Sequence, residues 1–413
     1  MTTRPPGVRE PRSFYLDNVR TYLTALVIVH HTSLPYGGFG TWLYKPSPGA
    51  PQYPPSSSLP ILVFNALNQT YFMATFFLLS GYFSALTARK KDQRTWLKEK
   101  WKRLGVPTIL YSLFGTGIAR GIIASVRDGA GWSEVASIQW DALKAIRGVR
   151  GPVWYCALLL IFDMIYAQYA YSMTVDADEE EEGLGLLVKD TEAQKPKEIT
   201  TKQLCLALGC TASASYLIRY FYPVGKVWTP LALNLGYVPQ YVLFYTTGIL
   251  AYTYLDGELH AIITPRMRLG LSGALIGIDA FGWWSLKAIV DSGQTSLGKI
   301  FELSRGGFNQ FSALYSIWNE VAGVLLSSVA LLTFRTVCNG RWGIGNFDVA
   351  RYSYPAFLAH GSVVVLLQSL VDTWDVSGLC KAVTVGSVAL PVCWSVGWGM
   401  AKVVESIGFK GYI

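Results

Sequence analysis

Charge is scarce in this sequence: Asp, Glu, Lys and Arg together make up 15% of its 413 residues, against roughly 25% in soluble chains. A soluble domain of that composition would have to hide more apolar surface than its fold provides. Cysteine is sparse too. The six present, Cys156, Cys205, Cys210, Cys338, Cys380 and Cys393, show neither C-x-x-C nor Cys/His ligand spacing, so no metal site is expected. The first 13 residues hold three Arg and three Pro but no apolar run, which excludes a cleaved secretory signal and leaves the first apolar helix as the targeting segment. G-x-S-x-G, the Walker lysine motif and H-E-x-x-H are all missing, so hydrolase, NTPase and zinc-protease readings lack support.

What is abundant is apolar and aromatic: 51% AVILMFWYC, with 14 Trp and 24 Tyr. Such rings settle at the headgroup level of a bilayer. The net charge of +8 lies in short clusters between apolar runs and not on one continuous face, so it reads as membrane topology and no nucleic-acid partner is expected.

A spanning helix needs about 20 mostly apolar residues, since the hydrocarbon core is about 30 Å thick and each residue rises about 1.5 Å. Ten stretches qualify, at 18–36, 60–86, 104–124, 152–172, 202–222, 230–254, 267–288, 312–336, 350–370 and 379–404. The fold class expected is therefore an all-α polytopic bundle of about ten transmembrane helices, one membrane domain over 1–413 in contact with the lipid bilayer. Residues 1–13 would be a short cytoplasmic tail. The basic run Arg89–Arg103 holds eight Lys or Arg and falls inside if the N-terminus is cytoplasmic, as the positive-inside rule asks. An even number of spans returns the C-terminus to the same side. Residues 173–201 carry the run Glu179–Glu182 and are expected to be an acidic disordered cytoplasmic loop. The Gly-, Pro- and Ser-rich segment 37–60 reads as an extended loop over a pocket mouth.

Ionisable side chains inside a span cost about 2.5–3.5 kcal/mol each on insertion scales, so each invites a functional reading. The first helix has several. Asp17 and Arg20 stand at its entrance, with His30 and His31 further along; Arg20 and His31 are three full turns apart and share a side of the helix. An intramembrane histidine can take a proton from a hydroxyl and return it, the work of a general base. It can equally donate to a neighbouring helix as interhelical glue, and His360 in the ninth stretch is open to either reading. Ser80-Gly81-Tyr82 is a small-residue step suited to close helix packing or to a direct role for Ser80. Lys98, Lys100, Lys102 and Arg103 precede Gly105 and Pro107, where a helix N-terminus would add to a phosphate-binding field; the alternative is contact with anionic lipid alone. Trp154 at the start of the fourth stretch reads as an interfacial anchor, while Gln240 and Glu320 could line a polar acceptor pocket or bridge helices.

These motifs resemble the acyltransferase-3 family of membrane O-acyltransferases, over nearly the whole chain. The strongest element is Asp17-Asn18-Val19-Arg20 followed by ten residues and His31, within YLDNVRTYLTALVIVHH. FFLLSGYFSAL, the basic run Lys100 to Pro107 with Lys100 in place of an arginine, GPVWYCALLLIFDMIY, Tyr237–Tyr241 and SYPAFLAH resemble further elements, the last two those of fungal-type members. By that resemblance His31 would be the base and Arg20 would help hold the acyl-CoA end, with Asp17 placed to orient Arg20. Arg103, Lys100 and Lys102 would hold the acyl-CoA end, and Ser80, Tyr82, Trp154, Gln240, Glu320 and His360 would line the substrate pocket. Acyl-CoA, with acetyl-CoA as the expected form, would be a co-substrate, no cofactor being held permanently. The acceptor would be a hydroxyl of a small specialised metabolite such as a terpenoid or polyketide, and the location an endomembrane such as the endoplasmic reticulum. The competing class is a proton-coupled multi-pass transporter, for which internal repeats would be the sign; none is evident.

Overall fold

The computed structural model describes residues 14–54, 57–146, 148–183, 199–254, 258–291, 297–345, 347–409 and 411. Long helices stand at all ten expected places. In chain order the helices are α1 (Phe14–Ser33), α2 (Leu59–Ala88), α3 (Gln93–Arg127), the short α4 (Trp132–Lys144), α5 (Trp154–Gly183), α6 (Thr201–Phe221), α7 (Val238–Tyr254), α8 (Pro265–Asp291), the short α9 (Leu297–Arg305), α10 (Gln310–Val337), α11 (Ser353–Leu370) and α12 (Gly378–Ser406). Among the described residues the only strands are β1 (Gly343–Ile344) and β2 (Phe347–Asp348), an antiparallel pair between α10 and α11.

Eight of the ten long helices are long and apolar enough to cross a membrane. The remaining two are α1, with its polar residues, and α7, with 17 residues. The outward faces match a lipid solvent: α8 leaves Leu269, Ile276, Trp283 and Trp284 between 66% and 76% exposed, a surface that water would penalise and acyl chains would not. The protein is an all-α, polytopic integral membrane bundle.

Successive long helices alternate in direction, so chain ends meet at common faces. The Tyr15 N–H at the start of α1 donates to Asn339 just beyond α10 at 3.1 Å, and Arg351 just before α11 pairs with Glu405 at the end of α12 at 2.8 Å. Close approach is made by small residues. A Cβ on Gly81 of α2 would strike the Tyr245 backbone of α7, and one on Gly248 would strike the Leu78 backbone in return. The helices therefore pack backbone to backbone, as small residues permit where no hydrophobic drive separates protein from lipid.

Three expectations need correction. The third helix starts at Gln93 and runs unbroken to Arg127, so Gly105 and Pro107 lie inside it and no helix N-terminus faces the basic cluster. Proline is accommodated because the helix widens to π turns at Trp101–Gly105, Tyr111–Gly115 and Ile123–Arg127, which relieve the bond that its missing N–H and ring would break. The sixth stretch becomes α-helical only at Val238, after a bridged turn between Trp228 and Leu233 and a 3-10 turn over Leu235–Tyr237. The linker expected over 173–201 is helical through Gly183 and again from Thr201; 184–198, like the tail 1–13, lies outside the described residues.

Candidate active site

α1 crosses the centre of the bundle and carries both halves of the candidate site. Arg20 lies near one end and His31 near the other, eleven residues on, about 16 Å along the axis. Around Arg20 opens a polar cavity of about 470 Å³ edged by Asp17, Arg103, Arg341, Asp348 and Arg351. It continues past Arg20, Arg103 and Tyr354 into a chamber of about 270 Å³ that reaches Ser80, Tyr155 and Phe357. Four guanidinium groups therefore gather at one mouth. Arg20 lies 4.0 Å from Asp17, and Arg103 faces the Tyr354 ring at 5.5 Å, whose hydroxyl donates to the Arg103 carbonyl at 2.6 Å.

A second chamber, of about 380 Å³, holds His30 and His31 and is walled by Trp42, Phe72, Trp154, Tyr237 and Tyr241. Phe357 lines both chambers, so one aromatic side chain forms their common wall. The Gly- and Pro-rich segment after α1 lies over this chamber, with Phe39 to Leu43 in its lining. Trp154 stacks on Tyr241 with centroids 5.6 Å apart at 27°.

Hydrogen bonding fixes the histidine tautomers. His31 Nδ1 is 2.8 Å from the Val27 carbonyl; a carbonyl only accepts, so Nδ1 carries the proton and Nε2 keeps its lone pair. His360 repeats the arrangement, Nδ1 lying 2.5 Å from the Phe357 carbonyl, with Nε2 buried and without a protein partner. The two rings face each other at 5.1 Å. His30 shares the chamber lining but is engaged: its Nδ1 is 3.2 Å from the Asn65 amide, which also donates to Ser33. Of the His30–His31 doublet, His31 presents the basic nitrogen and His30 joins two helices.

Other predicted residues separate. Ser80 lines the basic chamber, its hydroxyl 2.6 Å from that of Tyr155. Lys100 also lines it but is committed elsewhere: Asp163, fully buried on α5, pairs with it at 2.9 Å. Lys100 donates to Ser84 at 2.7 Å, while Ser84 and Tyr245 donate to Asp163 at 2.6 and 2.8 Å. The lysine charge is thus neutralised within the wall, against the expectation that it meets a phosphate. Lys102 lines neither chamber nor the mouth. Tyr82 packs edge-on against Tyr252 at 5.5 Å, outside both chambers. Gln240 bridges helices by donating to the carbonyls of Thr70 and Asn319 at 3.0 and 3.2 Å. Glu320 accepts from Asn319 at 3.1 Å and borders a separate groove between α6, α8 and α10.

Sequence reasoning passed over Asp163 and Arg219. Each is a lone ionisable residue in an apolar run, IFDMIY and YLIRYF, so the cost argument that singled out His31 applies to both. Arg219, fully buried, sits between the rings of Tyr315 and Tyr237 at 4.5 and 5.0 Å. Arg341, Arg351 and Gln368 lie at or beyond helix ends, where only folding shows what they approach.

The site is thus a helical membrane bundle with a basic mouth, two chambers and a histidine beyond their common wall. The acyltransferase-3 family model, described as an acyltransferase domain, matches residues 13–398, and the chain belongs to that family. It is a membrane protein built on an acyltransferase-3 domain. Among curated proteins it is similar to glucans biosynthesis protein C of Escherichia coli K12, 32% identical over 98 residues that make up 24% of this chain and 23% of that protein. The Salmonella paratyphi B protein of the same name is 29% identical over 103 residues, 25% of this chain and 24% of the relative. The chain thus spans about a quarter of the length of these relatives. No solved structure matches.

Proposed function

We propose that the protein transfers an acyl group, acetyl by expectation, from acyl-CoA to a hydroxyl of a small ring-bearing molecule, with His31 as general base. The observation that carries this reading is the shared Phe357 wall: an arginine-rich mouth and chamber lie on one side of a single side chain and the His31 chamber on the other. The phosphates of CoA meet Arg20, Arg103 and Arg341, where charge-assisted bonds to guanidinium suit phosphate oxygens. The pantetheine arm then extends the thioester through the basic chamber toward Phe357.

The acceptor lies among Trp42, Trp154 and Tyr241, whose faces suit a terpenoid, polyketide or sugar ring. Its hydroxyl proton moves to His31 Nε2 as the oxygen attacks the thioester carbonyl carbon. The tetrahedral oxyanion collapses, the C–S bond breaks, and the CoA thiolate takes the proton from the imidazolium. Transfer is direct, without an acyl-enzyme. Ser80 and Tyr155, hydroxyl to hydroxyl at the basic side of the wall, are the oxyanion donors of this scheme; Asp17 orients Arg20. His360, fully buried and outside both chamber linings, packs against the His31 ring and supports it.

The Arg-rich face is cytoplasmic in this reading, since CoA is supplied there and the Lys/Arg bias agrees; both termini share that face, and the membrane is an endomembrane such as the endoplasmic reticulum. The curated relatives are named for glucans, which places sugars beside terpenoids and polyketides among acceptors to try. The test is incorporation of label from acetyl-CoA into a panel of such acceptors by the protein in nanodiscs. A labelled ester formed by wild type and lost with Arg20→Ala supports the reading. Absence of any ester across donor chain lengths and acceptor classes would overturn it.

A further inference from the structure

α1 ends at Ser33 in a 3-10 turn over Leu34–Tyr36, and the His31 carbonyl meets no N–H four residues ahead because residue 35 is proline. Gln368 of α11, fully buried, supplies a partner: its amide nitrogen donates to the His31 carbonyl at 3.2 Å and to the Thr32 carbonyl at 3.3 Å. Its carbonyl oxygen accepts from the Trp42 indole N–H at 2.7 Å. The orientation of the amide is dictated by the partners, because the reverse would set oxygen against two carbonyls and NH₂ against an N–H.

Trp42 in turn covers the candidate base. Its ring lies 4.4 Å from that of His31 and 6.4 Å from that of His360, the latter nearly parallel at 15°. One turn beyond Gln368, Asp372 fastens the same segment, accepting from the Tyr44 hydroxyl, from the Ser47 N–H at 3.1 Å and from the Ser47 hydroxyl at 2.5 Å. A single buried amide therefore touches the backbone that carries His31 and the indole that covers it.

We propose that Gln368 is a positioning residue: it fixes the last turn of α1 and seats Trp42 on the His31 ring, so the aim of the His31 lone pair depends on it. The inference rests on the reading of His31 as the base. Gln368 touches neither substrate, and its effect passes through two contacts that can be cut separately. Gln368→Leu removes all three hydrogen bonds. Trp42→Phe keeps a ring over His31 and removes the indole donor; because it also trims a ring face of the acceptor chamber, kcat is read at saturating acceptor.

The experiment compares wild type, Gln368→Leu, Trp42→Phe and the double variant of the full chain in nanodiscs. One arm measures kcat and the KM for acetyl-CoA; the other measures the rate at which diethylpyrocarbonate modifies His31, read by peptide mass spectrometry. Expected are a kcat lower by about tenfold for Gln368→Leu, the scale of one buried hydrogen bond, an unchanged KM, and faster modification of His31. Trp42→Phe should move both readouts in the same direction, and the double variant should match Gln368→Leu instead of multiplying the two losses. Unchanged His31 modification in both single variants, or fully multiplicative effects, would overturn the proposal. If wild type transfers no acyl group, the proposed function fails, and the modification arm still decides the positioning claim.

Discussion

The two chambers on either side of Phe357 are built in opposite ways. The basic chamber sets Arg20, Glu99, Lys100 and Arg103 among apolar and aromatic side chains, all held on helices, and Lys100 in its wall pairs with buried Asp163. The aromatic chamber is made by ring faces, part of it supplied by the irregular segment after α1 and fastened through Gln368 and Asp372. Charge on rigid helices suits a donor whose phosphates are the same in every turnover; rings and a fastened segment suit recognition of an acceptor by shape. The contrast implies that damage to one chamber should be separable from damage to the other.

The largest effect expected of the walls is on stability. Asp163→Ala strands the Lys100 ammonium and should cost about 3–5 kcal/mol, the usual loss when one partner of a buried pair is removed. Reversible denaturation in detergent would measure it, and Lys100→Met combined with Asp163→Met should recover most of the loss. A stable Asp163→Ala variant would mean that the pair is not the joint between α3 and α5 described above.

Next in size, Arg103→Ala should raise the KM for acyl-CoA about ten- to a hundredfold, from a lost charge-assisted contact worth about 1.5–3 kcal/mol, and leave the acceptor KM alone. Trp154→Ala should do the converse. Steady-state kinetics with each substrate varied would show whether the chambers act separately; a joint rise in both constants for either variant would break the comparison.

The smallest effect concerns pH and the fastened segment. Burial pushes the Asp372 carboxyl up, but the bonds from Ser47 and Tyr44, with Arg127 nearby, outweigh it and hold the group below the ordinary carboxylate range. A depressed folded value means that its stabilisation is present in full above the unfolded value of about 3.9 and is lost as pH falls through the folded one. Melting of wild type should therefore owe nothing to Asp372 titration between pH 5 and 8. Asp372→Asn should be less stable across that window, and the gap should narrow below about pH 4.

Much of this was legible in the sequence. The ten helices follow from apolar length, and the placement of Arg20 and His31 follows from helix geometry with the same α1 carrying both. What the sequence hides are partners far along the chain. Lys100 reads as a phosphate ligand until Asp163, 63 residues away, is seen to neutralise it. Pro107 reads as a helix start because the π turns that absorb it leave no pattern in composition. Gln240 and Glu320 look like pocket polars, yet in a bundle the polar groups inside the protein serve helix bridging as readily as ligands, and only geometry separates the two. Tyr82 illustrates the same limit in reverse, one residue from the Gly81 packing step but facing Tyr252.

The most direct test of the account is a single-turnover measurement with His31→Gln, folding matched to wild type by melting temperature, in which labelled acetyl-CoA is bound first and the acceptor added second. Loss of a general base predicts acetyl transfer slower by about 10²- to 10⁴-fold with acetyl-CoA binding unchanged. Transfer at the wild-type rate with donor bound normally would contradict the central role given to His31.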